Sequence, residues 1–81
     1  MESASYTSDR KSEGLERAKR AAELKTGLKG NTALAKALEG DVTPQAVSQW
    51  THVPLARVFD VERSTGVPRE VLRPDFFGNA A

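Results

Sequence analysis

The sequence predicts an all-α fold, a compact bundle of four to five helices that contains a helix-turn-helix. Apolar residues recur at a spacing of three to four, which is the period of a helix with one buried face. Proline and glycine stand where such helices would begin and end, and no long stretch alternates apolar with polar residues as a strand would. The chain has 81 residues and no cysteine, so one small domain without disulfides is expected.

The amino-terminal third is predicted to hold a tail and one helix. Residues 1–13 are rich in serine, threonine and charge, which is typical of a flexible tail. The first helix is predicted over residues 15–26, and Gly27 suits its end because glycine adopts the left-handed conformation at little cost. Its buried face is expected to comprise Leu15, Ala18, Ala22 and either Leu24 or Lys25.

Two short helices with a turn between them are predicted next. Asn31 and Thr32 are each suitable N-cap residues for a second helix over residues 33–38. The Gly-Asp pair at 40–41 signals a turn. A third helix is predicted over residues 43–50, because threonine at its start is a good N-cap and the proline that follows does not need its missing N–H there.

The carboxyl-terminal half is predicted to add two helices and a short tail. A fourth helix is expected over residues 54–65 with Gly66 at its end, and a fifth over residues 68–72. The fourth helix would bury Leu55, Val58 and either Val61 or Glu62. Residues 14–76 therefore make up the predicted domain, and residues 77–81 form a carboxyl-terminal tail.

The residues that would fix the angle between the second and third helices are of the expected types. A helix-turn-helix needs apolar residues on both helices, another in the turn, and a small residue where the helices cross. Ala35 is the informative member, because a larger side chain there would push the third helix away. The residues in these positions are Leu34, Ala35, Leu38, Val42, Val47 and Trp50.

With that face buried, the opposite face of the third helix is predicted to be exposed. It carries glutamines and hydroxyls, and no acid occurs from residue 42 to residue 53. Glutamine bonds two edge atoms of adenine at once, and serine and threonine bond base edges or phosphates, so this face favours sequence-specific DNA binding. The alternative is a plain helical hairpin within a bundle. The exposed residues would be Thr43, Pro44, Gln45, Ser48 and Gln49.

Charge is distributed unevenly, although the net charge is only +1. Residues 10–36 hold eight basic and three acidic residues, whereas residues 37–81 hold four arginines and six acids. The basic part leads into the second helix, where it would neutralise phosphates. A solvated helix of mixed charge explains the same distribution equally well.

Four short motifs give the chain a family resemblance. They are TALAKAL at 32–38, TPQAVSQW at 43–50, VP followed by RV over 53–58, and ERSTGV followed by LRPD over 62–75. In these motifs the chain resembles the all-helical Cro-like phage repressors and the related YdaS-like prophage antitoxin family. The resemblance implies a lambda-repressor-like fold that binds double-stranded operator DNA, typically as a homodimer. It also implies a transcriptional repressor, and some relatives neutralise a linked toxin.

The resemblance also assigns roles to individual residues. Asn31 stands at the start of the second helix, where relatives often place a glutamine that holds a phosphate. Trp50 is expected to pack in the core rather than stack on a base. The candidates for base contact are Gln45, Ser48, Gln49 and Thr43. The candidates for phosphate contact are Asn31, Thr32, Lys29, Thr51 and Arg20.

The turn between the two helices departs from the family pattern. Relatives usually place fewer residues between the last leucine of the second helix and the apolar residue of the turn. Here residues 39–41, which include Glu39 and Asp41, separate those two positions. Acids beside phosphates would weaken DNA binding, so these extra residues are expected to point away from DNA.

Other classes of function lack the residues that they need. One histidine, no cysteine and no glycine-rich phosphate loop make an enzyme, a cofactor and a metal site unexpected. No apolar run reaches the ~20 residues of a membrane span, and the polar start of the chain lacks the apolar stretch of a signal peptide, so a cytoplasmic location is expected. The rival interpretation is a protein-interaction module, such as an antitoxin that masks a toxin partner. Its candidate contact patch consists of Phe76 and Phe77 with Leu55 or Phe59.

Overall fold

The computed structural model describes residues 6–77, with side chains from residue 12 onward. Every regular element in that part of the chain is helical, which confirms the all-α prediction. A short 3-10 turn, Leu55–Arg57, leads into the fourth α-helix. The α-helices are α1 (Tyr6–Thr26), α2 (Gly30–Ala37), α3 (Pro44–Ser48), α4 (Val58–Thr65), α5 (Arg69–Leu72) and α6 (Pro74–Phe77).

Helix α1 is longer than predicted. It begins at Tyr6 rather than at residue 15, so the predicted tail overlaps the helix over residues 6–13, while residues 1–5 lie outside the described residues. The early part of the helix carries no apolar stripe, so its sequence gave no periodic signal. The end was predicted correctly, since Gly27 has φ 78° and its N–H donates to a carbonyl of the last turn at 2.8 Å.

The buried face of α1 is narrower than predicted. Neither candidate for its last position is buried, because Leu24 is 85% exposed and Lys25 is also exposed. The ammonium of Lys25 instead donates to the carbonyl of Ser64 at 2.7 Å, near the carboxyl-terminal end of α4, where a cation is favourable. The predicted members that are buried are Leu15, Ala18 and Ala22.

A glycine allows α1 and α5 to approach closely. Gly14 is buried, and a Cβ built on it would lie 2.7 Å from the Cα and the carbonyl oxygen of Leu72, and closer still to the carbonyl oxygen of Val71. These are backbone atoms, which cannot rotate away as the end of a side chain can. At Gly14, the backbone of α1 therefore packs directly against the backbone of α5, with no side chain between them. Helix α1 also contacts α2.

Helix α2 is capped by a residue of α1. Its N-cap position is held by Lys29, which makes no side-chain cap. The prediction of Asn31 or Thr32 as the cap was wrong, because both residues lie inside the first turn. The N–H of Gly30 donates to Oε2 of Glu23 at 2.8 Å, and a carboxylate at this end of a helix is also favoured by the helix dipole.

The turn after α2 is a Schellman motif with glutamate where glycine is usual. The N–H of Glu39 donates to the carbonyl of Lys36 at 2.8 Å, and that of Gly40 donates to the carbonyl of Ala35 at 3.3 Å. Glu39 has φ 60° and Gly40 has φ 84°. The turn predicted at residues 40–41 thus begins at Glu39, in a conformation that costs a residue with a Cβ about 1 kcal/mol.

Replacing Glu39 by glycine is expected to raise the free energy of unfolding by about 0.5–1 kcal/mol, because glycine has no Cβ to strain. The greater freedom of glycine in the unfolded chain offsets part of the gain. Chemical denaturation measures the difference. The matched control is Glu39→Ala, which removes the carboxylate but keeps the Cβ, and its stability should stay within about 0.5 kcal/mol of wild type. Equal gains in both variants would contradict backbone strain as the cause.

The carboxyl-terminal half departs from the prediction at Leu55, from Pro74 onward and at two helix starts. Helices α4 and α5 begin at Val58 and Arg69 rather than at residues 54 and 68, where the prolines are extended. Helix α4 ends at Gly66, which has φ 81°, as predicted. Val58 and Val61 are fully buried, but Leu55 is 43% exposed. It lies in the 3-10 turn, whose shorter period shifts it off the buried stripe of α4. Helix α6 was not predicted, and Pro74 is its first residue, a position that tolerates proline.

One cluster of apolar side chains forms the core. Most of its members are alanine or valine, so the core is thin for a chain of this length. Val42, Val47 and Val53 bring the turn, α3 and the segment after α3 into this cluster. The buried members are Leu15, Ala18, Ala22, Ala33, Leu34, Ala35, Ala37, Leu38, Val42, Val47, Val53, Val58, Val61 and Leu72.

Arg73 is buried with its charge paired, at 6% exposure. Its Nη1 donates to the carbonyl of Val53 at 3.0 Å. Its Nε and Nη2 donate to the two carboxylate oxygens of Asp75 at 3.0 and 2.7 Å, and its guanidinium lies 5.0 Å from the centre of the Phe76 ring. Arg73 thereby joins the last two helices to the segment that follows α3.

Candidate nucleic-acid interface

Helix α3 is anchored through one of its own side chains and through the residues beside it. Val47 is fully buried, whereas the other four residues of α3 are exposed. The residues predicted to fix the angle between α2 and α3 are all buried, except that Trp50 is partly buried and packs against the core. The arrangement of α2, turn and α3 fits a helix-turn-helix.

The exposed face of α3 carries hydrogen-bonding groups and no charge. The side-chain amides of Gln45 and Gln49 are exposed and bond no other group in the described part of the chain. The hydroxyl oxygen of Thr43 accepts from the N–H of Ala46 at 3.0 Å, and the hydroxyl of Ser48 donates to the carbonyl of Gln45 at 2.6 Å. The hydroxyl of Thr43 can therefore still donate a hydrogen bond to a further partner, and the hydroxyl oxygen of Ser48 can still accept one. All four predicted base-contact residues are exposed, with Thr43 at the N-cap and Gln49 at the C-cap of α3, which ends at Ser48 rather than at residue 50 as predicted.

Three predicted phosphate contacts lie at the start of α2. Lys29 and Thr32 are exposed there. Asn31 is half-buried, and its buried Oδ1 has no hydrogen-bond partner. The first-turn N–H groups of a helix have no acceptor within it, so they are available to an anion.

The other two predicted phosphate contacts come from α1 and from the segment after α3. Arg20 is exposed and lines a depression of about 310 Å³ beside Gly30 and Asn31. Thr51 is exposed, and its Oγ1 lies 3.1 Å from Nδ1 of His52. The structure thus brings Arg20 together with the start of α2, whereas Thr51 stands at the other end of the unit.

A carboxylate at the start of α2 was missed by the sequence analysis. Glu23 lines the same depression as Arg20 and accepts the hydrogen bond from the N–H of Gly30. One of the first-turn N–H groups is therefore already occupied. No sequence motif predicts the contact between Glu23 and Gly30. It joins α1 to α2, and the N-cap residue of α2 is Lys29, which is not a typical capping residue.

An open groove separates α2 from the start of α3. It has a volume of about 610 Å³, and Thr32 and Thr43 both line it. Ala35 lines it as well, which agrees with the small residue expected where the helices cross. One predicted phosphate contact and one predicted base contact therefore share the same groove.

The acids of the long turn are exposed beside basic groups. Glu39 and Asp41 line a depression together with Lys25 of α1 and with Asp60 and Arg63 of α4, which pair with each other. Glu39 also lines the groove between α2 and α3. That the two acids point away from bound DNA stays a prediction.

Aromatic side chains of α4 and α6 form a partly exposed patch, named the aromatic patch and made of Phe59, Phe76 and Phe77. The rings of Phe59 and Phe77 meet edge to face with centres 5.8 Å apart. The guanidinium of Arg69 lies 5.2 Å from the first ring centre and 5.8 Å from the second. Phe77 packs against the core, but Phe59 and Phe76 remain 52% and 60% exposed.

Features of two other kinds of site were sought among the described residues. No group of three or more histidine, cysteine or acidic side chains there is placed to hold a metal ion. In the same part of the chain, no helix is both long and apolar enough to cross a membrane.

Comparison with known proteins places the chain in a family. The family model described as "Bacterial toxin YdaS" matches residues 19–81, which include most of the helical part of the chain. No curated protein matches the chain, and no solved structure does. The YdaS-like resemblance of the four sequence motifs is thereby confirmed. The chain belongs to the bacterial toxin YdaS family.

Proposed function

We propose that the chain is a sequence-specific DNA-binding transcriptional regulator that reads operator DNA in the major groove with α3. The observation that carries this proposal is the exposed, uncharged, hydrogen-bonding face of that helix. Helix α3 buries only Val47 and turns every other side chain outward. A helix that served only to complete a bundle would gain nothing from two unpaired glutamines on its outer face.

The chemistry of this face suits the edges of base pairs. The amides of Gln45 and Gln49 can each donate to and accept from one adenine, and this pairing discriminates against the other bases. The hydroxyls of Thr43 and Ser48 supply shorter contacts to bases or phosphates. The role of these four side chains is therefore the selection of sequence rather than bulk affinity.

Affinity is proposed to come from the start of α2 and from α1. Lys29 and Arg20 supply charge, while Thr32 and the first-turn N–H groups of α2 donate hydrogen bonds to a phosphate. Asn31 would act beside them, and Thr51 would contact the backbone at the other end of the unit. Contacts of this kind weaken as salt concentration rises.

A homodimer is proposed as the form that binds the operator in the cytoplasm. One short helix reads only about 3–4 base pairs, which is too few to single out a site in a genome. Two copies on a palindromic site double that number. The proposal requires neither a cofactor nor a catalytic residue, so the chain is not an enzyme in this interpretation.

Footprinting of the purified protein on its own promoter region tests the proposal. We expect protection of a palindromic stretch at low salt, which weakens as salt is raised because counterions compete for the phosphates. Absence of protection at every salt concentration would contradict DNA binding as the function.

Replacing Gln45 by alanine is expected to weaken operator binding by about 1–3 kcal/mol while leaving binding to random DNA nearly unchanged. Fluorescence anisotropy with operator and random duplexes measures both affinities. Lys29→Ala is the comparison variant. It should weaken binding to both duplexes equally, and it should lower by about 1 the slope of log affinity against log salt concentration. If Gln45→Ala lost the same affinity for both duplexes, Gln45 would not contact bases specifically.

A second candidate function is the binding of a partner protein through the aromatic patch. The observation that favours it is the 52% and 60% exposure of Phe59 and Phe76, together with the family description as a bacterial toxin. Expression of variants in a bacterial host separates the two functions. If the wild type slows growth by binding DNA, Gln45→Ala relieves the effect and Phe76→Ser does not. The opposite outcome would favour a partner protein.

A further inference from the structure

Helix α1 has a second face that no described part of the chain covers. Leu24 is 85% exposed, more than any other large apolar side chain among the described residues. An exposed leucine alone is ordinary, but this one continues a stripe at helical spacing. The stripe consists of Arg17, Arg20, Ala21 and Leu24.

The stripe forms one wall of an open groove, named the α1 groove. The opposite wall is the segment that joins α4 to α5, and the groove has a volume of about 560 Å³. Val67, Pro68 and Val71 contribute apolar surface from that wall, opposite Ala21 and Leu24. The α1 groove therefore combines apolar side chains on both walls with polar surface from Arg17, Arg20 and Thr65.

The charged side chains that line the α1 groove are both basic. Arg17 and Arg20 line it and no acidic side chain does, although glutamates lie beside both arginines in the adjoining depressions. Neither of these guanidinium groups takes part in an ion pair or a ring contact within the described residues. The other described arginines behave differently, because Arg57, Arg63 and Arg73 pair with aspartates and Arg69 lies over aromatic rings.

We propose that the α1 groove binds a short acidic amphipathic segment of a partner protein. Apolar side chains of that segment would cover Leu24 and the opposite wall, and its carboxylates would pair with Arg17 and Arg20. This is the helix-in-groove mode of recognition, in which anchors recur at the same spacing as the stripe on α1. A phosphate backbone would pair with the two arginines but would leave Leu24 and the apolar side chains of the opposite wall exposed to water.

The proposal shares Arg20 with the proposed phosphate contacts, so peptide binding is measured first without DNA. Random peptides of about twelve residues, or about three helical turns, are displayed and selected on the immobilised full chain. The affinity of the selected peptides is then measured by fluorescence anisotropy with three variants. These are Leu24→Ser, the double variant Arg17→Gln with Arg20→Gln, and the control Leu28→Ser, which alters an exposed leucine of the groove between α2 and α3.

We expect the selected peptides to carry several acids and apolar residues at helical spacing. Leu24→Ser should weaken their binding at least tenfold, because a buried leucine contact is lost. The double arginine variant should weaken it about tenfold, as expected for two partly exposed ion pairs. The control should bind as the wild type does, and thermal unfolding should show that all three variants fold.

Two results would overturn the proposal. In the first, the selected peptides are neutral or basic, or bind Leu24→Ser as tightly as wild type, which would place their site elsewhere on the chain. In the second, the double arginine variant weakens binding of a random-sequence DNA duplex but not of the peptides. The arginines would then be phosphate contacts and the α1 groove would have no acidic partner.

Discussion

Replacing Gly14 by alanine is expected to lower the free energy of unfolding by about 3 kcal/mol. The sign is opposite to the usual one, because alanine inside a helix is ordinarily about 1 kcal/mol more favourable than glycine. At this position the new Cβ would lie 2.7 Å from the Cα and the carbonyl oxygen of Leu72. These atoms belong to the backbone of α5, so the two helices would have to separate and would uncover Leu72, which is now fully buried.

Chemical denaturation of the wild type and of Gly14→Ala measures this loss. The matched control is Glu13→Ala, because Glu13 precedes Gly14 in the same helix and is exposed. Its stability should lie within about 0.5 kcal/mol of wild type. A Gly14→Ala protein as stable as the wild type, or more stable, would contradict the close packing of α1 on α5.

The burial pattern of α2, the turn and α3 was the part of the fold that sequence could predict. Burial there follows from local spacing, so Leu34, Val42 and Val47 could be assigned to the core from their separations along the chain. The start of α3 was predicted for the same reason, because Thr43 and Pro44 are a cap and a first residue by their own chemistry. The exposure of the four base-contact candidates follows from that placement, while their role stays a prediction.

The contacts that sequence could not predict join segments far apart in the chain. Glu23 caps α2 from α1, and Gly14 meets the backbone of α5. Each depends on how two helices are placed relative to each other, and no residue near either member signals its partner. Periodicity also fails near a helix end, where Leu24 and Lys25 fit the stripe equally well and both are exposed.

Replacing Arg73 by methionine is expected to lower the free energy of unfolding by about 2 kcal/mol. Methionine fills a similar volume but donates no hydrogen bond, so the carbonyl of Val53 and the carboxylate of Asp75 would lose the guanidinium that bonds them. The carbonyl of Val53 is buried and would be left without its donor, which is costly, whereas the exposed carboxylate of Asp75 would regain water. The stability of Arg73→Lys should lie between those of the wild type and Arg73→Met, because an ammonium cannot bond the carboxylate through two parallel N–H groups.

A double-mutant cycle with Asp75→Ala distinguishes this pairing from a general loss of packing. If the bidentate pair carries the effect, the costs of Arg73→Met and Asp75→Ala should fall short of additivity by about 1–3 kcal/mol. Additive costs would mean that methionine destabilises the chain through the lost bond to Val53 or through altered packing on Phe76, and not through the ion pair. A large coupling would show that Asp75 holds in place the guanidinium that bonds the carbonyl of Val53 in the segment after α3. The thin apolar core would then depend on a buried charge to complete the unit that presents α3.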